Sequence, residues 1–160
     1  PDTGILMNNG IMWFDPSPGR PNSLAPAKRP LSNMCPAIVR LPSGEIFAVG
    51  ASGGRRIVSS CMQLISFMTD FAMTPEEAMH QPRIDVGGSD QVLADEALDG
   101  SIQSALQNAF EDVATAQHGV YPSLFGCPSI ASVVPGGGRS TGAAFVTSPL
   151  AAAVAEGSVG

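Results

Sequence analysis

The sequence predicts an α+β fold, with strands and helices in separate stretches rather than in regular alternation. Two observations carry this. Short β-rich segments come as hairpin pairs across glycine or proline turns, at 37–41 with 45–50 and again at 129–134 with 142–146. A long helical period follows residue 54, and a second helix announces itself at Thr74 with a full set of start signals.

In chain order, residues 4–9 (GILMNN) read as a strand running into an Asn-Asn-Gly turn, and 11–14 (IMWF) as a short apolar run. Residues 15–30 form a proline-rich loop without a period, and a loop of that length is often functional. Residues 31–36 (LSNMCP) set small polar side chains between apolar ones. The first hairpin turns at Pro42-Ser43-Gly44. Its second strand, 45–50 (EIFAVG), reads as buried and ends at a turn made by Gly50, Gly53 and Gly54, residues that tolerate positive φ.

Beyond that turn Ile57, Cys61, Leu64, Ile65, Met68 and Phe71 or Ala72 fall at helical spacing, while Val58, Met62 and Phe67 make a second apolar face. So much apolar surface predicts a buried helix. The next helix, 74–81, has Thr74 as cap, Pro75 at its first position and Glu77 to complete a capping box, and Pro82 ends it. Residues 83–86 and 91–95 read as strands across Gly87-Gly88. Residues 98–111 read as a helix with Ile102, Leu106, Ala109 and Phe110 on one face. The last hairpin turns at Gly136-Gly137-Gly138, and the alanine-rich end carries no signal.

Its 160 residues are enough for one domain with a core. The 18 glycines and 14 prolines imply many turns and long loops, but 44% hydrophobic content argues against disorder. Only 14% of residues are charged, which suits a chain that buries surface against a partner. The formal net charge is −6 and the basic clusters are no larger than Lys28-Arg29 or Arg55-Arg56, so nucleic acid and an anionic membrane surface are poor partners. No apolar run is long enough to span a bilayer. Cys35, Cys61 and Cys127 are odd in number and widely spaced, which is not a disulfide framework, and Cys61 reads as a core residue. No Cys/His cluster points to a metal, and no cofactor motif is present. The chain starts at Pro1 without a methionine, as a processed or partial piece would.

The chemistry is expected at the glycine turn. The first N–H groups of a helix lack partners within it, and the macrodipole adds positive potential there. Glycines just before the helix leave those groups open to an anion, so Gly53 and Gly54 are candidates for an oxyanion hole, against a plain turn that needs glycine for geometry alone. Gly50-Ala51-Ser52-Gly53-Gly54 also matches G-x-S-x-G, a nucleophile elbow, with Asp85, Asp90 or Asp95 and then His118 downstream in the order of an α/β-hydrolase. That fold needs several βα units around the elbow, and the preceding segments here read as a hairpin and a loop. His80 reads as a boundary histidine and His118 as a loop histidine without a sequence-local partner.

GILMNN, the loop PSPGRPN, KRPLSNMCP, GASGGRRI and the capped TPEEAMHQPRID, in that order, resemble the small subunit of gamma-glutamyltranspeptidases from residue 4 to about 96. The resemblance implies an N-terminal-nucleophile hydrolase: a four-layer αββα sandwich of antiparallel sheets between helices, shared with a large subunit cut from the same precursor, of which residues 1–160 form a single domain. It implies acyl transfer from γ-glutamyl amides through an N-terminal threonine whose own α-amine activates it, so that no histidine base and no cofactor is needed. That threonine belongs to a stretch ahead of the segment matching Pro1; Thr3 matches an ordinary position.

By the same resemblance Gly53-Gly54 form the oxyanion hole, and Ser32 and Asn33 stand where a serine pair binds the substrate's α-carboxylate. Asn33 departs from serine but still donates a hydrogen bond. Trp13 stands where the family has an acidic residue for the α-ammonium, and it offers an apolar face or a cation–π contact instead. Asp15 substitutes only if its loop is rearranged. The expected alternatives are a glutaryl-amide acylase of the cephalosporin acylase kind and a non-catalytic subunit that keeps the sandwich. Free cysteines lean towards a reducing compartment and the family towards a periplasmic or extracellular one.

Overall fold

The computed structural model describes residues 4, 9–87, 90–136 and 140–154. The chain divides into two units, Pro1–Asn33 and Met34–Gly160. The strand expected at 4–9 falls mostly outside the described residues.

In the first unit the apolar run is a 3-10 helix, Gly10–Trp13. The proline-rich segment after it has neither helix nor strand, yet it is cross-braced. Asp15 and Asn22 exchange backbone contact (Asp15 N–H to Asn22 carbonyl, 2.8 Å), and the Asn22 amide spans the loop, donating to the Trp13 carbonyl at 2.7 Å and accepting from the Leu31 N–H at 2.9 Å. The buried Ser23 hydroxyl donates to the Ser17 carbonyl and accepts from the Arg20 N–H. Short polar side chains thus supply the backbone partners that a ladder would otherwise give.

The second unit holds β1 (Ala37–Arg40), β2 (Ile46–Ser52), α1 (Arg56–Thr69), α2 (Pro75–His80), β3 (Ile84–Asp85), β4 (Val92–Asp95), α3 (Gly100–Ala109), β5 (Val113–Ala116), β6 (Cys127–Val133) and β7 (Ser140–Ala144). The first hairpin pairs as expected, Arg40 with Ile46. The last hairpin does too, Val133 with Ser140. What pattern alone did not supply is that they join: β2 pairs with β6 from Ile46–Val133 to Ser52–Cys127, giving one antiparallel sheet in the order β1-β2-β6-β7.

Alternation sets the two faces of that sheet. Phe47, Val49, Ile130 and Ala143 point to one side and form the core with Ile57, Cys61, Leu64 and Met68 of α1 and with Ala78 and Met79 of α2. Ala48, Ala131 and Val133 point the other way and are exposed, as is Ile38. The capping box on α2 forms as the sequence predicts: the Glu77 N–H donates to the Thr74 hydroxyl and the Glu77 carboxylate accepts from the Thr74 N–H.

The expectation that α1 is buried nearly all round is corrected. Val58 and Met62 are about half exposed, so the helix buries a single stripe in this chain. The helix also ends earlier than its apolar period, at Thr69, leaving Phe71 exposed. Ala72 lies in the left-handed region at φ 54 and lets the Met73 N–H reach back to the Phe67 carbonyl at 3.1 Å.

A second, three-stranded sheet has the order β3-β4-β5. Its strands are not all antiparallel: β4 and β5 run parallel, with α3 in the crossover between them. β5 (VATA) is too short and too small in its side chains to be signalled by the sequence. None of the described residues of α3 is buried, although Ile102 and Leu106 share its apolar face. β3 is moored to α1 by Gln63, whose side-chain amide meets the Ile84 backbone twice.

Candidate active site

The turn between β2 and α1 has the geometry its glycines suggest. Gly53 lies at φ 128 and Gly54 at φ 65, conformations that side chains disfavour. A Cβ on Gly53 would also stand 3.0 Å from the Gly126 Cα, whereas one on Gly54 would meet nothing within 4 Å. So Gly53 is fixed by conformation and by close packing, Gly54 by conformation alone.

No side chain caps α1. The Arg56 and Ile57 N–H groups close back on the Gly53 and Gly54 carbonyls at 3.3 Å. The Gly53 and Gly54 N–H groups themselves have no protein acceptor among the described residues. Beside them is a cleft of about 300 Å³, also lined by Arg56, Asp85, Gly87 and Gln91. Two free donors at the positive end of a 14-residue helix, next to a cleft, have the geometry that can stabilise an oxyanion. Three larger hollows, about 690, 910 and 570 Å³, lie against the β1-β2 turn and α2, on the exposed face of the four-stranded sheet, and beside Ser52 and Cys127, and none is lined by Gly53 or Gly54.

Asp85 enters this cleft because β3 is held on α1. It is 7% exposed. Its Oδ2 accepts from the Gly87 N–H at 3.2 Å and lies 3.9 Å from Arg56 Nε, an ion pair too long for a hydrogen bond. Its Oδ1 and the Arg56 Nε are both buried without a hydrogen-bond partner. Gly87 leaves the carboxylate its room, since a Cβ there would sit 2.8 Å from Oδ2. Sequence reasoning named Asp85 only as a triad acid, and no pattern in the sequence announces its pairing with Arg56.

The other predicted site residues lie in the first unit. Trp13 is half-buried at the end of the 3-10 helix. Ser32 is exposed. Both polar atoms of the Asn33 amide are buried and lack a hydrogen-bond partner, an unusual state for an amide. Asp15 is spent on its own loop: Oδ1 accepts from the Ser17 N–H at 2.8 Å and Oδ2 pairs with Arg20 at 3.3 Å.

The serine-elbow arrangement is not assembled. Ser52 is an exposed strand-end residue opposite Cys127. His118 is committed elsewhere: the buried Arg83 donates from Nη2 to His118 Nε2 at 3.2 Å, and His118 Nδ1 lies 3.5 Å from Asp95 Oδ2. The nitrogen a serine would need therefore faces a guanidinium. Burial, with Arg83 adding to it, pushes the His118 pKa down, and Asp95 opposes the shift. Among the described residues no group of three or more His, Cys, Asp or Glu side chains is placed to hold a metal, and no helix is long and apolar enough to cross a membrane. The three cysteines are free, with Cys61 in the core as expected.

Comparison with known proteins agrees with the fold. A sequence model of the gamma-glutamyltranspeptidase family matches residues 1–125. The glutathione hydrolase proenzyme of Bacillus subtilis (strain 168) is 39% identical over 84 residues, 52% of this chain and 14% of that protein. The Acylase ACY 1 proenzyme of Pseudomonas sp. (strain SE83) is 39% identical over 107 residues, 66% of this chain and 19% of that protein. The chain thus spans under a fifth of the length of these relatives. A solved structure of a mutant Helicobacter pylori gamma-glutamyltranspeptidase superimposes with a TM-score of 0.70 at 26% identity, over 92% of this chain and 82% of that one, which gives this chain the N-terminal-nucleophile hydrolase fold. A fold-level match alone would say nothing of chemistry, but here sequence and fold agree. The chain belongs to the gamma-glutamyltranspeptidase family.

Proposed function

We propose that this chain is the small-subunit part of an amidohydrolase or acyltransferase that cleaves γ-glutamyl or related acyl amides. The observation that carries the proposal is the pair of unpartnered N–H groups on Gly53 and Gly54 beside a cleft at the start of α1. In the reaction the acyl carbonyl is attacked by the small subunit's own N-terminal threonine, which lies ahead of Pro1. The tetrahedral oxyanion rests on the Gly53 and Gly54 amides, the ester forms as the amine leaves, and water or an amine acceptor then takes the acyl group. Ser32 and Asn33 meet the polar end of the acyl donor, a role that rests on their place in the family's motif. The partner is the large subunit of the same precursor, and the exposed apolar face around Ile38, Ala48 and Ala131 is suited to a second sheet layer.

A glutaryl-type donor is the second reading, favoured by Trp13 in place of an acid and by the acylase among the relatives. One experiment addresses both: the mature full-length protein is assayed with the p-nitroanilides of γ-glutamate and of glutarate. Nitroaniline release from either supports acyl transfer, and none from both overturns it in favour of a non-catalytic subunit. A strong preference for the γ-glutamyl donor would remove the glutaryl reading of Trp13. Intact mass of the small subunit, expected to begin with Thr ahead of Pro1, checks the nucleophile.

A further inference from the structure

β2 pairs with β6 as far as Ser52 and Cys127, and the next residue past that pair is a glycine on both sides, Gly53 on one and Gly126 on the other. The two meet backbone to backbone. A Cβ on Gly53 would stand 3.0 Å from the Gly126 Cα and 3.7 Å from the Cys127 nitrogen. Gly126, at φ 72, is hemmed in towards α1 as well. A Cβ there would stand 3.2 Å from the Ser60 Cβ, 3.4 Å from its Oγ and 3.5 Å from the Arg56 carbonyl oxygen. Ser60 is 1% exposed and its hydroxyl has no hydrogen-bond partner, so it meets Gly126 as bulk rather than through a bond. The Gly126 backbone thus fills the space between Gly53 and the first two turns of α1, and the buried Phe125 beside it anchors it there.

From this packing we infer that Gly126 is a positioning residue for acyl transfer: its backbone is the wall against which Gly53 rests, and it sets the direction of the Gly53 N–H. It does not line the cleft beside Gly53 and Gly54, so it acts through Gly53. Interiors are close-packed, and a methyl on Gly126 that α1 has no room for is passed on to the turn. A donor displaced by a fraction of an ångström leaves substrate binding in place but meets the developing oxyanion poorly. The inference rests on the reading of Gly53 and Gly54 as the oxyanion hole.

The test uses the mature full-length protein with the γ-glutamyl and glutaryl p-nitroanilides. Gly126→Ala is expected to lower kcat about tenfold per folded molecule while KM stays within about twofold. Ser60→Gly clears the α1 side and is expected to restore most of that kcat in the double variant. A merely structural role lowers the melting temperature and leaves kcat per folded molecule unchanged. An unchanged kcat in Gly126→Ala overturns the inference, as does a loss that Ser60→Gly does not restore. If Gly126→Ala does not fold, Ser60→Thr adds a methyl at the same contact and is expected to give a smaller fall in kcat at unchanged KM; an unchanged kcat there overturns the inference. Crystal structures decide the point apart from turnover. The Gly53 nitrogen is expected to move by about 0.5 Å in Gly126→Ala and to return in the double variant. If the wild type releases nitroaniline from neither anilide, that movement and return keep Gly126 as the wall that aims Gly53 while the acyl-transfer reading fails. A Gly53 nitrogen that stays in place overturns the inference, whatever the turnover.

Discussion

Gln63 and Ile84, on different elements, are joined as two strand residues would be: the Gln63 side-chain Nε2 donates to the Ile84 carbonyl at 2.7 Å and its Oε1 accepts from the Ile84 N–H at 2.8 Å. A two-residue strand cannot hold its own position on a helix, so this amide fixes β3 on α1 and carries Asp85 into the cleft. Gln63→Ala removes both bonds and leaves two backbone groups in want of partners. It is expected to lower stability by about 2 kcal/mol in a urea titration. Gln63→Glu keeps the acceptor and loses the donor, and is expected to fall between.

The C-terminus of α1 carries a correctable flaw. Ala72 adopts φ 54, a position where glycine is usual. Ala72→Gly is expected to raise stability by about 0.5–1 kcal/mol, the left-handed penalty of a Cβ less the added freedom of the unfolded chain. A chemical denaturation midpoint reads it directly, and a fall in the midpoint contradicts the assigned cap.

His118 makes stability depend on pH. Its folded-state pKa lies below the ordinary value of 6.5, because burial and Arg83 disfavour the imidazolium more than Asp95 favours it. Below about pH 6.5 the unfolded chain therefore binds more protons than the folded one. The His118 contribution is present above that value and is lost as pH falls through it towards the folded pKa, at up to about 1.4 kcal/mol per pH unit. The rings of Phe125 and Phe145, centred 5.4 and 5.6 Å away, leave the imidazolium little water. Urea midpoints from pH 7.5 to 5 are expected to fall in the wild type and to flatten in His118→Asn over the same range.

The two glycines of the turn are expected to separate. Gly53→Ala meets the Gly126 backbone and a φ of 128, so it is expected to destabilise by about 2–3 kcal/mol. Gly54→Ala has open space and keeps its N–H, so it is expected to lose about 1 kcal/mol and less than tenfold in kcat. Equal damage from both, read by thermal melting and steady-state kinetics, contradicts the packing.

Much of this was legible where physics is local. The β1-β2 hairpin, the glycine turn, the capping box of Thr74 and Glu77 and the inward alternation of Phe47 and Val49 all depend on residues close in sequence. What was not legible depends on distant contacts. The β2-β6 pairing joins strands about 80 residues apart, and β5 shows itself only by its parallel partner β4. The half-exposed Val58 and Met62 looked buried because apolarity reports what a helix face tolerates, whereas burial depends on which distant elements pack against it. The candidate site divides the same way. Gly53 and Gly54 stood out by type and spacing. Asp85 did not, because its importance comes from an unsatisfied oxygen and from a strand moored by Gln63.

The oxyanion hole is tested most directly by a crystal structure of the mature full-length protein with a tetrahedral analogue of the acyl-transfer intermediate. The analogue's oxygen is expected within about 2.7–3.1 Å of both the Gly53 and Gly54 nitrogens. An oxygen turned away from both amides, or amides bonded to the protein's own carbonyl or carboxylate groups, would contradict it.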